Sequence, residues 1–473
     1  MKNKFFSVAA LTAGYLLFSL SVGCADERAL NDGAEPQPSE GQVIFAAPDG
    51  KSTGSGTIDS PLDIFTAVAR IEPGGTIYMR GGKYMLHKDV ILKKAGSESK
   101  PLNLWAYKDE KPEFDCSQQT YNNVGLHLTT GQWWHIKGLS VCNAYKAGVK
   151  IRDASHNTFE RCTSHHNGGT GFYIGYPHVE ENNPDGEKAA YNTFINCDAH
   201  HNFDWWTKDR PGTNTDGFAC QSNTGKGNRF IGCRAWANSD DAWDFFECGF
   251  GIELIDCWAW STGMMEDHKE MYRQHTGKEL TEELFDGNGN GFKMGGGCLF
   301  IAGRECRFES RGTHVLRGCV AFNNASNGID QNHHAYGAVI ENCMAFYNKR
   351  NYNFNHPNKN KTEFVLRNCL SWGAPVKDRF ENADMVYDNN LWQLPGLTDD
   401  PAAEFVSLTP ESAEVPRKSD GGLPDEFARL KKGSVLIDKG VPTQKINLGS
   451  DVIHLDPIPY KGKRPDLAPI ELK

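Results

Sequence analysis

The sequence lacks the patterns that would assign it to several common protein classes. It has no cluster of basic residues and a formal net charge of −10, which argues against nucleic acid as a partner. None of its 14 cysteines has the Cys-x-x-Cys spacing of zinc and redox sites. Helical periodicity is sparse, and no run of about 18 apolar residues follows the N-terminal segment. The 49 glycines instead fit a turn-rich β protein.

What the sequence does contain is a short repeat built around a cysteine. Each copy has an aromatic or aliphatic residue, two further residues and then the cysteine, and uninterrupted copies are 24 to 26 residues apart. A fixed period of this length predicts a solenoid. Leucine-rich repeats would carry more leucine and a helix in each unit, so we predict an all-β, right-handed parallel β-helix with three short strands per coil. The repeated cysteines are Cys162, Cys197, Cys233, Cys257, Cys319, Cys343 and Cys369.

The repeat also predicts ladders of identical side chains. The cysteines are expected to stack as thiols inside the coils, about 4.8 Å apart, although disulfides stay open for an exported chain. Paired histidines at matching turns are expected to stack in preference to binding zinc, which needs converging ligands. Asparagines five residues after the cysteines predict a third ladder. The members are His165-His166 and His200-His201, and Asn167, Asn202, Asn238, Asn324 and Asn348.

The first residues are interpreted as an export signal. Lys2 and Lys4 precede an apolar run that ends shortly before Cys24. Residues 1–23 are therefore predicted to be a signal peptide, Cys24 the lipid-modified first residue, and residues 24–42 a polar tether. This predicts an exported protein, lipid-anchored at the outer membrane or cell surface of a Gram-negative bacterium or facing its periplasm. It would be secreted if Cys24 is not acylated.

The remaining residues, 43–473, are predicted to form a single β-helix domain that includes a C-terminal cap. Residues 60–71 have helical spacing with a proline near the start, which predicts a short helix that covers the N-terminal opening of the solenoid. After Cys369 the repeat fades, and the irregular C-terminal segment is expected to wrap the side or the end of the coils. Insertions interrupt the repeat at 203–215 and 263–290, where binding residues are expected.

Aspartates come together when the coils are aligned on their inward-pointing residues. The alignment places Asp244, Lys293 and Asp330 in one exposed row of a sheet, with two further aspartates in a row at its edge. Carboxylates this close repel one another unless a cation lies among them, and loop-borne carboxylates favour Ca²⁺ over Mg²⁺. The converging group is Asp216, Asp240, Asp241 and Asp244. The alternative is that Asp240-Asp241 is only a solvated turn.

Lys293 is the basic residue of this row, one coil or about 5 Å from Asp244. A free lysine has a pKa of about 10.4 and is a poor base at neutral pH, but a neighbouring Ca²⁺ would lower that pKa. Lys293 is therefore either a general base or the partner of Asp244 in a salt bridge, and the sequence leaves both open.

These motifs together resemble polysaccharide lyase family 9, and the resemblance covers most of the mature chain. Its specific part is Asp216-Gly217-Phe218, Asp240-Asp241-Ala242-Trp243-Asp244 and Gly289-Asn290-Gly291-Phe292-Lys293. The resemblance implies that the four aspartates bind a catalytic Ca²⁺ and that Lys293 is the Brønsted base. It implies β-elimination in a galacturonate-containing pectic polysaccharide, either rhamnogalacturonan I or homogalacturonan, in which Lys293 abstracts the C5 proton.

An anionic substrate on an acidic protein requires local positive charge. Five basic residues are candidates for binding substrate carboxylates, and four tryptophans are candidates for stacking on sugar rings, with core or loop packing as the alternative. The basic residues are Arg304, Arg307, Arg311, Lys208 and Arg210, and the tryptophans are Trp205, Trp206, Trp258 and Trp260. The protein is expected to be a monomer that meets the membrane only through its lipid anchor.

Two other functions remain open at this point. A non-catalytic, glycan-binding β-helix surface protein would use Ca²⁺ only for its structure. A polygalacturonase-like glycoside hydrolase would place Asp216, Asp240 and Asp241 around a water and work without Ca²⁺. Chelation separates the hydrolase from the lyase, and substitution of Lys293 separates the binding protein from the lyase.

Overall fold

Strands follow one another in a fixed order around three parallel sheets. The computed structural model describes residues 41–176, 183–296, 310–359 and 361–472. Neighbouring strands in each sheet come from successive coils and pair in parallel. This arrangement is the parallel β-helix that the cysteine repeat predicts.

Within the described residues, the three sheets have 12, nine and ten strands. Sheet 1 consists of Val43–Ala46, Thr76–Met79, Leu102–Ala106, Trp134–Lys137, Thr158–Glu160, Thr193–Ile195, Arg229–Ile231, Glu253–Ile255, His314–Arg317, Ala338–Glu341, Phe364–Arg367 and Met385–Asp388. Sheet 2 consists of Val90–Leu92, Leu126–Thr129, Val149–Arg152, Phe172–Gly175, Phe218–Gln221, Trp243–Asp244, Phe292–Lys293, Asn327–Asp330 and Arg350–Asn353. Sheet 3 consists of Gly82–Met85, Pro112–Asp115, Ser140–Cys142, Thr163–His165, Asp198–His200, Arg234–Trp236, Trp258–Trp260, Val320–Phe322, Met344–Phe346 and Leu370–Trp372.

Helices are few and short in the described ranges. The helix predicted within residues 60–71 is present as Ile64–Arg70, and it begins where the Asp63 carboxylate accepts a hydrogen bond of 2.9 Å from the Thr66 amide. Its buried residues join the core of the solenoid. None of the helices among the described residues has the length and hydropathy needed to cross a bilayer. In the part of the chain that the structure describes, the other helical segments are Met265–His268, Lys269–Thr276, Leu391–Gln393, Pro401–Glu404 and Pro410–Glu414.

The cysteines form the predicted interior column. In sheet 1, Phe159 pairs with Phe194 and Phe194 with Phe230, so the cysteines three residues later lie one above another. Those in the described part of the chain are buried free thiols. The Cys197 thiol donates to the carbonyl of Phe159 at 3.4 Å, and the same link to the preceding coil recurs along the column. The prediction of stacked thiols is confirmed for these residues.

The asparagine ladder is also present. Asn167 Nδ2 donates to Asn202 Oδ1 at 2.9 Å, and Asn202 Nδ2 donates to Asn238 Oδ1 at the same distance. Thr262 interrupts the ladder, but its backbone amide donates to Asn324 Oδ1 at 3.2 Å, and the series resumes. A second ladder, which the sequence analysis did not identify, consists of Asn157, Asn192 and Asn228.

The paired histidines stack as predicted. The ring centroids of His165 and His200 are 5.0 Å apart with an interplanar angle of 4°, and those of His166 and His201 have the same geometry. Burial lowers the pKa of His165 and of His201 to about 4, so these rings are neutral at pH 7. The stack therefore avoids repulsion between imidazolium charges.

The irregular C-terminal segment lies against the outer face of sheet 3. Its Phe427 ring is 4.6 Å from the ring of Trp258 and 4.9 Å from that of Phe322. Trp258 and Trp260 are 0% and 1% exposed beneath this cover. Their assignment as sugar-stacking residues is therefore wrong, and the packing alternative holds. A short antiparallel hairpin, formed by Ile446–Leu448 and Ile453–Leu455, packs on sheet 1.

Candidate active site

The predicted row of polar residues lies on the outer face of sheet 2. Asp244 pairs with Lys293, and Lys293 pairs with Asp330. The order of the row is as predicted. The row was also predicted to be exposed, and this is wrong, since Asp244 is 4% and Asp330 6% exposed. The difference arises because neighbouring amides cover both carboxylates, with Gln221 Nε2 donating to Asp244 at 2.6 Å and Asn353 Nδ2 donating to Asp330 at 2.8 Å.

Three carboxylates and one ammonium group form the centre of the site. Asp216, Asp241 and Asp244 each offer an oxygen, and the three oxygens lie within 4.8 Å of one another. Lys293 Nζ donates to Asp241 Oδ2 at 2.7 Å and lies 3.4 Å from Asp244 Oδ2. Of the two roles left open for Lys293, the salt bridge is thus present in this structure, with Asp241 as the nearer partner.

Asp240 lies beside this group without joining it. Its Oδ1 accepts a hydrogen bond of 3.1 Å from the backbone amide of Asn288, at the end of the second insertion. Asp240 and Asp241 are both buried, so the alternative of a solvated turn is wrong. The sequence predicted four converging carboxylates, and the structure brings three of them together with the fourth at their edge.

The electrostatics of the site follow from burial and repulsion. Burial, together with the charges of Asp244 and Asp241, raises the pKa of Asp216 well above its usual value. Burial likewise raises the pKa of Asp244 to about 6, although Lys293 opposes the shift. Burial alone would lower the pKa of Lys293, but Asp241 and Asp244 outweigh it and raise that pKa well above its ordinary value.

The charges of the group do not balance, which bears on what it can bind. Within the described residues, three carboxyl groups face one ammonium group, so the centre carries a buried net negative charge when all three are ionised. Uncompensated buried charge is costly, and a bound cation would remove that cost. Every oxygen in the group belongs to a carboxylate, the ligand type of hard divalent cations such as Ca²⁺. The residues therefore fit a divalent cation of this class.

Comparison with known proteins places the chain in a family. Residues 44–363 match the family model described as Pel9A-like, right-handed β-helix region. Pectate lyase L of Dickeya dadantii is 32% identical to this chain over 99% of both sequences. The chain belongs to the Pel9A-like family. This membership confirms the predicted right-handed β-helix and the predicted assignment to the polysaccharide lyases.

Two solved structures extend the comparison. The crystal structure of pectate lyase Pel9A covers 91% of this chain and 96% of its own, with a TM-score of 0.74 and 30% identity. A structure named rhamnogalacturonan lyase covers 83% of this chain and 97% of its own, with a TM-score of 0.68 and 25% identity. The Pel9A-like chain thus resembles proteins named for two different pectic substrates.

Three of the five basic residues predicted to bind substrate lie in the described part of this Pel9A-like chain. Lys208 is exposed, and Arg210 forms an ion pair with an aspartate of the second insertion. Arg311 is exposed and precedes the sheet 1 strand His314–Arg317. Arg304 and Arg307 lie outside the described residues. Their roles in substrate binding stay predictions.

The two tryptophans of the first insertion pack against neighbouring side chains. The ring of Trp205 stacks on that of His275 from the second insertion, with centroids 4.1 Å apart. Lys146 Nζ lies 2.9 Å from the ring centroid of Trp206. Both tryptophans are partly exposed, and their role in sugar stacking stays a prediction.

Sequence reasoning missed the residues that hold the carboxylates. Asn290 donates to Asp241 Oδ1 through its backbone amide at 3.0 Å and through Nδ2 at 2.7 Å. Gln221 Nε2 links Asp244 to Asp216, and Thr170 Oγ1 donates to Asp216 at 3.3 Å. The sequence did contain a signal for Asn290. It lies two residues before the inward-pointing Phe292, the position that Asp216 and Asp241 occupy in the two preceding coils.

Proposed function

We propose that this protein is a calcium-dependent lyase that cleaves galacturonate-containing pectic polysaccharide by β-elimination. The observation that carries the proposal is the buried group of three carboxylates with the Lys293 amine against it. The relatives named pectate lyase and rhamnogalacturonan lyase support the substrate class.

The proposed reaction depends on the acidity of one proton. The C5 proton of galacturonate lies α to a carboxylate, and its removal develops further negative charge on that carboxylate. The bond from C4 to the glycosidic oxygen then breaks, the departing oxygen takes up a proton from solvent, and a C4–C5 double bond forms without addition of water. The reaction therefore needs a base at C5 and positive charge beside the carboxylate.

The chain supplies the ligands of a cation and a base. Asp216, Asp241 and Asp244, with Asp240 at their edge, would hold Ca²⁺, which when bound supplies the positive charge beside the substrate carboxylate. Lys293 Nζ is the proposed acceptor of the C5 proton. Its side chain is 12% exposed, so it lies at the surface of the site while its carboxylate contacts fix its position.

Lys293 can accept a proton only as the neutral amine. Without a bound cation, the neighbouring carboxylates keep the pKa of Lys293 well above its ordinary value, so the amine is protonated and cannot act as a base. The pKa falls when those carboxylates no longer pair with the amine. Asn290 and Gln221 hold the carboxylates in place, and we propose positioning roles for both.

The test compares two substrates in the presence and absence of metal. Polygalacturonate and rhamnogalacturonan I are incubated separately with the protein, with Ca²⁺ or with a chelator. Ultraviolet absorbance of the C4–C5 double bond and new reducing ends are followed together. We expect both signals to rise with Ca²⁺ on at least one substrate and neither to rise with chelator. The preferred substrate distinguishes a pectate lyase from a rhamnogalacturonan lyase.

Two results would replace the proposal. Reducing ends without ultraviolet absorbance, unaffected by chelator, would indicate a polygalacturonase-like hydrolase. Binding of both polymers without either product, and without any effect of Lys293→Met, would indicate a glycan-binding protein.

The cellular site of action is proposed from the sequence alone. Cys24 lies outside the described residues, and we propose that it carries the lipid that anchors the exported enzyme. Metabolic labelling with a palmitate analogue checks this, with Cys24→Ser as the variant expected to lose the label.

A further inference from the structure

The outer face of sheet 2 carries a second group of polar residues, two to three coils before Asp244. Lys150 pairs in register with Tyr173, and Arg152 pairs with Gly175. Because side chains alternate along a strand, Lys150, Arg152 and Tyr173 all point to the face that bears Asp244. Two cations and one aromatic ring thus share a surface with the candidate active site.

Neither cation has a carboxylate partner among the described residues. The side chain of Lys150 is half-buried and that of Arg152 is exposed, and neither side chain forms a hydrogen bond or an ion pair there. Burial and the charge of Arg152 lower the pKa of Lys150, and the Asp89 carboxylate, which lies 3.8 Å from His127 Nδ1, opposes that shift. Two like charges two residues apart on one strand repel each other. On a protein of net charge −10 they form a local positive patch that attracts anions.

Tyr173 lies flat along its own strand. A Cβ built at Gly175 would be 2.6 Å from Tyr173 Oη and 2.7 Å from its Cε1, so the ring covers the place where a larger residue would project. The Tyr173 hydroxyl approaches Ser222 Oγ at 3.4 Å, and Lys150 Nζ is 5.6 Å from the ring centroid. The ring therefore lies on the sheet between Tyr173 and Gly175, and the paired residues of the preceding strand are Lys150 and Arg152.

Such a surface suits one kind of ligand. A flat aromatic ring packs against the face of a sugar ring, and flanking lysine and arginine side chains form charge-assisted hydrogen bonds with a carboxylate. Strands of sheet 2 are about 4.8 Å apart, so Tyr173 lies roughly 10 Å and Lys150 roughly 14 Å from Asp244 along the stacking direction. A polyuronate chain that follows the sheet would reach both places.

We propose that Lys150, Arg152 and Tyr173 form a distal subsite that holds a uronate residue of the polysaccharide while another uronate residue reacts. The inference rests on the proposed function, because it assigns a longer substrate to the same face. It predicts that the enzyme discriminates long from short uronate chains, and that the discrimination comes from these three side chains.

The kinetic test uses the variant with both Lys150→Gln and Arg152→Gln. The ratio of kcat/KM on polygalacturonate to kcat/KM on short oligogalacturonides is expected to fall about tenfold, mainly through KM, because charge-assisted hydrogen bonds to a carboxylate are lost. The matched control is Lys432→Gln with Lys463→Gln, two exposed lysines of the C-terminal segment, and it should keep the wild-type ratio. An unchanged ratio in the Lys150–Arg152 variant would overturn the proposal.

The aromatic part is tested by two substitutions. Tyr173→Phe should keep the length preference and Tyr173→Ala should lose it, because the ring face and not the hydroxyl makes the contact. Gly175→Ala fits the backbone but forces the ring to move, so it should reduce the preference while leaving the thermal unfolding midpoint close to wild type. If Tyr173→Phe is as damaging as Tyr173→Ala, the hydroxyl is responsible and the stacking role is wrong.

A binding measurement separates this inference from the proposed function. Affinity electrophoresis in gels that contain polygalacturonate or rhamnogalacturonan I reports retention without catalysis. Retention of the wild type that is lost in the Lys150–Arg152 variant supports the subsite even if no unsaturated product ever forms. Retention equal in both proteins, or absent from both, rejects the subsite whether or not the protein is a lyase.

Discussion

Replacing Lys293 by methionine removes the ammonium group that faces three buried carboxylates. Lys293 Nζ is 2.7 Å from Asp241 Oδ2, and the side chains are 12% and 0% exposed. At an effective dielectric constant of about 20, two unit charges at this distance attract by about 6 kcal/mol, part of which is offset by burial of the amine. Breaking a buried pair by removing one partner costs about 3–5 kcal/mol. We expect a loss of this size in chelator at pH 8.

The loss should depend on pH and on metal. At pH 5, Asp244 binds a proton because its pKa is raised to about 6, and the remaining repulsion is weaker, so the destabilisation should shrink. Saturating Ca²⁺ should also restore much of the stability, because a cation then balances the carboxylates. Activity should fall about 10²–10⁴-fold at every Ca²⁺ concentration, since the general base is missing.

Urea unfolding followed by tryptophan fluorescence measures the stability, and ultraviolet absorbance of the product measures the activity. Lys432→Met is the control, because this exposed lysine has the same chemistry without carboxylate contacts among the described residues. Equal stability of wild type and Lys293→Met in chelator at pH 8 would refute the electrostatic reasoning. Retained activity would refute the assignment of the base.

Three further outcomes are expected. Asp244 binds its extra proton in the folded state, so metal-free protein should lose stability as pH rises from about 4 through 6, and scanning fluorimetry should show a larger Ca²⁺-dependent rise in Tm at pH 8 than at pH 5. Asp198→Asn leaves the buried guanidinium groups of Arg234 and Arg417 without their carboxylate, so urea unfolding should show a loss of about 3–5 kcal/mol. Asn202→Ala removes a buried link between coils and should cost about 1–3 kcal/mol in the same assay.

Much of the fold was predictable because each coil repeats one inward residue. The interval from Phe194 to Phe230 contains an irregular insertion, yet both residues align because each is three positions from its cysteine. The buried cysteine thus identifies which residues of successive coils pair in sheet 1, whatever the length of the loop between them. The same logic failed for Trp258, because a repeat predicts the coils but not which face a non-repeating segment will cover.

The candidate site was predictable as a set of aligned positions and not as a set of contacts. Backbone register alone brings Asp244 beside Lys293, and the structure has that pairing. The closer partner of the lysine is Asp241, however, and this depends on the side-chain rotamers and on the two hydrogen bonds from Asn290. Side-chain direction is set by packing that a column alignment does not contain, which is why Asn290 and Gln221 were missed.

The second insertion shows how a long excursion leaves the position of Lys293 unchanged. The chain leaves the coil at Gly263 and returns at Gly289, and both residues have a positive φ, of 76° and 65°. A Cβ built at Gly263 would be 2.5 Å from the Gly289 Cα, so the two ends of the insertion touch. The backbone amide of the next residue, Asn290, then donates to Asp241. Because the excursion closes on itself before the strand begins, its length and sequence can vary without moving Lys293 from the carboxylates.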